Sequence, residues 1–96
     1  MPKVLLYKVA QTVLIFLFYG TDLYENRAHV HVGKPGCKNL SKIWLEPEVI
    51  IADHGDLTAK QAKQASAIAT KYREELLKQW NNFKKGKTVK IIKINN

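Results

Sequence analysis

The chain has 96 residues, of which 46% are hydrophobic and 25% are charged, with a formal net charge of +8 and a pI of about 9.7. This length suits one domain with a single core, and the composition excludes a wholly disordered chain. The longest apolar run, residues 13–19, is far below the roughly 20 residues that span a bilayer. No signal-peptide pattern opens the sequence, and the single cysteine, Cys37, suits a reducing compartment. We therefore expect a cytoplasmic protein without membrane association.

Positive charge is concentrated in the second half of the chain. Residues 1–48 carry 6 Lys/Arg against 4 Asp/Glu (+2), whereas residues 49–96 carry 10 against 4 (+6). No acidic residue follows the first of five closely spaced lysines: Lys84, Lys85, Lys87, Lys90 and Lys93. This distribution favours an anionic partner, although a solubilising tail would have the same composition. The two arginines, Arg27 and Arg73, are too few for extensive readout of bases.

Five β-branched and aromatic segments, each bounded by turn residues, predict strands in the first half of the chain. They are residues 4–9, 12–19, 29–32, 43–45 and 49–52. The first two strands are predicted to form a hairpin, and the polar residues 20–27 are predicted to connect it to the third strand. A mostly antiparallel sheet follows from these short connections.

The most informative segment is His29-Val30-His31-Val32 in the third strand. Because successive strand residues point to opposite faces, the two imidazoles share one face and the valines share the other. Pairing with the fourth strand would place Lys42 and Trp44 beside the histidines. We expect both imidazole rings to be accessible on a polar sheet face.

One long helix is predicted for the second half of the chain. Thr58 and Gln61 have the spacing of a capping box, and an apolar stripe then continues in steps of three and four to Phe83. Trp80 and Phe83 lie on this stripe, which predicts that they belong to the core. Gly86 is suited to the position directly after the helix, where glycine is common. The prediction is an α+β domain over residues 1–86, with about five strands packed by one helix that ends near Lys85. Residues 87–96 form a short basic strand or tail.

Several motifs of the chain resemble one small bacterial family, the domain of unknown function 4160. The resemblance covers about residues 1–85 and rests on five segments in order: Met1-Pro2-Lys3-Val4-Leu5, His29-Val30-His31-Val32-Gly33, Ile43-Trp44-Leu45-Glu46-Pro47, Gly55 and Trp80-Asn81-Asn82-Phe83. It implies a bacterial two-gene module with a second small domain of unknown function (2442), an arrangement read as a toxin–antitoxin pair. It implies no particular chemistry.

Two hypotheses concern nucleic acid or a partner protein. In the first, the chain binds RNA, or a small acidic protein from a neighbouring gene, without catalysis. The binding residues would be Arg27, Lys42, Trp44, Lys84, Lys85, Lys87, Lys90 and Lys93. In the second, His29 and His31 are the acid and base of a metal-independent endoribonuclease. An open sheet face would also permit a homodimer.

The third hypothesis is a metal site built on His29 and His31. Two histidines separated by one strand residue can present two ligands on one face. The third ligand would be His54, Glu46 or Asp53, but no recognisable spacing places any of them. The sequence therefore predicts neither a metal nor another cofactor.

Overall fold

The structure, a computed structural model, describes residues 2–95 and is an α+β fold, as the sequence predicts. Its strands are β1 (Lys3–Val9), β2 (Thr12–Leu17), β3 (His29–Gly33), β4 (Ser41–Trp44), β5 (Ile50–Asp53) and β6 (Ile92–Asn95). A 3₁₀ helix, Gly20–Tyr24, joins β2 to β3, and two α-helices, α1 (Ala59–Lys71) and α2 (Arg73–Lys84), precede β6.

All six strands form one sheet in the order β5-β4-β3-β2-β1-β6. The first five strands pair antiparallel, and β6 pairs with β1 in parallel. The sheet is therefore mostly antiparallel, and its last strand comes from the basic end of the chain. Within residues 2–95, no helix is both long enough and apolar enough to cross a membrane.

The helical part differs from the prediction of one continuous helix. The Thr58–Gln61 capping box is present, with the Gln61 N–H donating to the Thr58 hydroxyl at 3.1 Å. The helix is interrupted at Tyr72, where φ is −106° and ψ is 22°. Just before this point the Thr70 hydroxyl donates to the carbonyl of Ser66 at 2.8 Å, a bond that often bends helices. The apolar stripe nevertheless continues through both helices, because the interruption is a single residue.

The two helices are fixed to the sheet in different ways. Helix α1 packs against β4 and β5, with Ala62, Ala65 and Ala69 buried on its inner side. Helix α2 is held at its first residue, where Arg73 Nε donates to the carbonyl of Leu45 at 2.6 Å. Trp80, 4% exposed, lies in the core as its place on the stripe predicts.

Candidate functional site

The site lies on β3, in the interior of the sheet. His29 pairs with Trp44 and His31 pairs with Lys42, which is the register expected from the alternation of side chains. The valine between them, Val30, is fully buried on the opposite face. Sequence alternation therefore predicts correctly which β4 side chains neighbour the histidines.

The prediction that both imidazole rings are accessible is wrong. His29 is 0% exposed and His31 is 8% exposed. The Trp80 ring lies 5.0 Å from the ring of His29, and the Tyr19 ring lies 4.1 Å from that of His31, centroid to centroid. Helix α2 and the residues around the 3₁₀ helix therefore cover rings that strand alternation alone would leave in solvent.

The residue that sequence reasoning missed is Asp22, which is 5% exposed in the 3₁₀ helix. Its carboxylate accepts the backbone N–H of Tyr19 at 2.7 Å, which fixes its orientation. Asp22 stands in a polar segment that reads as an ordinary connection. Its approach to the histidines depends on how that segment folds over the sheet, and no local motif indicates this.

Asp22, His29 and His31 form a cluster of three converging ligand atoms, here called the Asp–His cluster. Asp22 Oδ1 lies 3.0 Å from His29 Nε2, and Asp22 Oδ2 lies 3.1 Å from His31 Nε2. One ligand atom from each of the three residues lies within 4.8 Å of the other two. The imidazole rings are nearly perpendicular, at an interplanar angle of 87°.

The hydrogen bonds of His29 determine which of its nitrogens carries a proton. Its Nδ1 lies 2.9 Å from the carbonyl oxygen of Arg27, which can only accept, so Nδ1 is the donor. In a neutral ring Nε2 then presents a lone pair. This atom is buried, and no group among residues 2–95 meets it with hydrogen-bond geometry, although a carboxylate oxygen lies beside it. His29 Nε2 is thus an unpartnered polar atom directed into the Asp–His cluster.

Burial and the mutual contacts shift the ionisation of the cluster. Burial raises the pKa of Asp22, but the Tyr19 N–H, His29 and His31 together lower the pKa by more, so it lies below its ordinary value. Burial lowers the pKa of His31 below its ordinary value, against the opposing effect of Asp22. At neutral pH the cluster therefore contains a carboxylate and a neutral His31.

A second group of side chains, here called the Trp44 cluster, lies beside the Asp–His cluster and consists of Arg27, Lys42 and Trp44. The Arg27 guanidinium lies 4.2 Å and the Lys42 ammonium 4.3 Å from the centre of the half-buried Trp44 ring. Both distances are typical of cation–π interactions. Lys42 Nζ also lies 3.4 Å from a carboxylate oxygen of Glu25.

Lys84 reaches the same region from the end of α2. Its ammonium donates to the carbonyl oxygen of Glu25 at 2.6 Å and also to that of Leu23. Two predicted binding cations, Lys42 and Lys84, therefore meet at Glu25, directly after the 3₁₀ helix. Three of the remaining predicted lysines, Lys85, Lys87 and Lys90, are exposed after α2, and the fourth, Lys93, is exposed on β6.

The three residues considered as a third metal ligand lie elsewhere or have other partners. His54 is exposed in the turn after β5, and Asp53 accepts the N–H of Gly55 at 2.9 Å. Glu46 accepts the N–H of Ala28 at 3.2 Å. The structure places Asp22, and none of these three, against the two histidines.

The family described as "Domain of unknown function (DUF4160)" matches residues 14–81, which include the whole Asp–His cluster. This match spans more than half of the chain, so the protein belongs to that family. No curated protein and no solved structure shows significant similarity to the chain. The family relationship agrees with the resemblance seen in the sequence and supplies no activity.

Proposed function

We propose that this protein binds the phosphate backbone of single-stranded RNA without cleaving it. The observation that carries the proposal is the placement of Arg27 and Lys42 against the Trp44 ring, with Lys84 bonded to the same residue, Glu25, that Lys42 contacts. The net charge of +8 supplies a long-range attraction for a polyanion.

The contacts of the Trp44 cluster hold its cations before a ligand arrives. Arg27 Nε donates to the carbonyl oxygen of Glu46 at 2.8 Å while the guanidinium lies over Trp44. A side chain that is already fixed loses less entropy when it binds a phosphate. Aromatic rings combined with a positive surface are also typical of proteins that bind single strands.

The positions of the lysines favour an extended ligand over a small anion. Lys42 lies on β4 and Lys93 on β6, and three strands, β3, β2 and β1, separate them. At about 4.8 Å between neighbouring strands, the two lysines stand about 19 Å apart across the sheet. A ligand that contacts both must carry negative charge repeatedly over this distance, as a nucleic-acid strand does.

Burial of the histidines favours binding over cleavage. A ribonuclease of this kind needs a base at the 2′-hydroxyl and an acid at the 5′-oxygen of the same phosphodiester. His29 is fully buried, and the Nε2 atoms of both histidines face Asp22. The endoribonuclease hypothesis therefore receives no support from this geometry.

We also propose a cellular setting for this binding, a bacterial two-gene module of the toxin–antitoxin type in the cytoplasm. The resemblance described in the sequence implies this arrangement, and the basic surface would suit a small acidic product of the adjacent gene, which would compete with RNA for the same cations. Production of the chain alone should slow bacterial growth, and co-production of the adjacent gene product should relieve this effect. Unchanged growth in both cases would contradict the two-gene proposal.

RNA binding is tested by fluorescence anisotropy with a labelled 20-nucleotide RNA at several salt concentrations. One variant replaces Lys85, Lys87, Lys90 and Lys93 by alanine, and a second replaces Arg27 and Lys42. A matched control replaces four exposed helix lysines that lie outside both groups: Lys60, Lys63, Lys71 and Lys78.

We expect the wild type to bind with a strong salt dependence. The four-lysine variant should flatten the slope of log K against log salt by up to about 3, at about 0.7 for each lost phosphate contact. The control has the same net charge and should keep most of the slope. Equal losses in the variant and its control would contradict a defined surface. If RNA does not bind but a polyglutamate peptide does, the ligand is an acidic protein and the RNA proposal is wrong.

A further inference from the structure

We propose that the Asp–His cluster is a binding site for a divalent transition-metal ion of the zinc type, with Asp22, His29 and His31 as its three protein ligands. This inference is independent of RNA binding. Four observations support it: the convergence of the ligand atoms, the unpartnered His29 Nε2, the hydrogen bonds that hold His29 and Asp22, and the partial exposure of His31.

The ligand atoms lie close to the separations that one ion requires. Bonds of about 2.0–2.2 Å at tetrahedral angles place neighbouring ligand atoms about 3.3–3.6 Å apart. In the cluster, Oδ1 of Asp22 lies 3.0 Å from His29 Nε2 and 3.3 Å from His31 Nε2, and one ligand atom from each of the three residues lies within 4.8 Å of the other two. A small adjustment of the side chains would therefore enclose an ion. Two imidazoles and one carboxylate also leave a coordination position for a water or another ligand.

The unpartnered nitrogen indicates that an ion belongs there. The other ring nitrogen, Nδ1, donates to the Arg27 carbonyl, so Nε2 is the nitrogen of His29 that faces the carboxylate of Asp22. Nε2 is buried 3.0 Å from Oδ1 of Asp22, and no group among the described residues meets it with hydrogen-bond geometry. A cation bound by both atoms would give this nitrogen the partner that the protein does not supply.

The surroundings hold two of the three ligands, His29 and Asp22, as metal sites commonly do. A metal-binding histidine typically donates its other N–H to a carbonyl or carboxylate, and His29 donates to the Arg27 carbonyl at 2.9 Å. Asp22 is oriented by the Tyr19 N–H at 2.7 Å. His31 would coordinate through Nε2 in the tautomer that carries its proton on Nδ1.

An ion can reach the cluster from the side of His31. This side chain is 10% exposed, whereas that of His29 is 1% exposed. The nearby ammonium of Lys42 would oppose an incoming cation, but Glu25 lies 3.4 Å from it and offsets that charge. On the opposite side of the cluster, Trp80 covers the ring of His29.

The first experiment titrates chelator-treated full-length protein with Zn²⁺ by calorimetry. The variants are Asp22→Asn and His31→Gln, and the matched controls are His54→Gln and Cys37→Ser, which remove other potential zinc ligands. We expect the wild type and both controls to bind one equivalent. Each cluster variant should bind at least about 100-fold more weakly. Mg²⁺, which prefers oxygen ligands, should not compete.

No binding by the wild type, or binding lost in a control and retained in both cluster variants, would overturn the proposal. A second measurement uses only the wild type, because a variant of a buried cluster can fail to fold. In ¹⁵N NMR, one equivalent of Zn²⁺ should shift the Nε2 resonances of His29 and His31 and leave those of His54 unchanged. A shift confined to His54 would overturn the proposal.

Discussion

His29 Nε2 lies 3.0 Å from Asp22 Oδ1 without a hydrogen bond of good geometry, although both side chains are buried. The two residues are close only because the 3₁₀ helix packs on the sheet face that carries the His29 and His31 side chains. The 3₁₀ helix therefore has two roles, because it helps to cover the histidines and also supplies the carboxylate beside them.

The first prediction concerns the removal of this carboxylate. Asp22→Ala should lower the free energy of unfolding of the metal-free protein by about 2–4 kcal/mol, because the Tyr19 N–H and the buried His31 N–H lose their acceptor. Urea denaturation with a chelator present measures this change. The control is Glu48→Ala, which removes an exposed carboxylate and should change stability by less than about 0.5 kcal/mol. Similar values for the two variants would show that Asp22 has no structural role.

A second prediction concerns the cover over His29. Trp80→Ala should destabilise the protein by about 3–5 kcal/mol, because Trp80 is 4% exposed and packs on Phe18 and His29. Tyr24 is 88% exposed, so Tyr24→Ala should have an effect within about 0.5 kcal/mol. Thermal and urea unfolding of both variants test this contrast. A small loss at Trp80 would mean that α2 does not close the site.

Features of the site that depend on local spacing along the chain could be predicted from the sequence, whereas features that depend on packing between distant segments could not. The capping box at Thr58 and the pairing of His29 with Trp44 depend on local spacing and strand alternation, and both were predicted. The burial of the rings and the role of Asp22 depend on a polar segment folding back over the sheet. Its sequence carries no periodicity that indicates where it packs. The interruption at Tyr72 was missed because the apolar stripe passes through it unchanged.

A third prediction concerns stability at acid pH. The Asp56 carboxylate accepts the backbone and side-chain N–H groups of Asn39 and the N–H of Lys38, which together hold its pKa below its ordinary value. A carboxyl whose pKa is lower in the folded state contributes stability that is complete above its unfolded pKa, about 3.9, and is lost as pH falls through the folded pKa.

The Asp56→Ala variant should therefore be less stable than the wild type at pH 6. Its free energy of unfolding should also fall less steeply than that of the wild type between pH 5 and pH 2. Asp22 titrates in the same direction and remains in both proteins, so the difference between the two curves belongs to Asp56. Parallel curves would show that Asp56 does not contribute to the acid transition.

A fourth prediction concerns the turn after β5. Gly55 has a φ of +57°, and a Cβ there would lie 2.6 Å from the backbone of Asn39 and Leu40. Gly55→Ala should destabilise the protein by about 2 kcal/mol or more, since the left-handed conformation alone costs about 1–2 kcal/mol. Gly20 has open space around it, so Gly20→Ala is the matched control. Equal unfolding midpoints would contradict this account of the turn.

The most direct test of the metal proposal is X-ray absorption spectroscopy at the zinc edge of the wild-type protein loaded with one equivalent of Zn²⁺. We expect nitrogen and oxygen neighbours at about 2.0–2.2 Å, with the outer-shell scattering of two imidazole rings, and no sulfur neighbour. A sulfur neighbour at about 2.3 Å would place the ion on Cys37. That result, or the scattering of a single imidazole, would contradict a site formed by Asp22, His29 and His31.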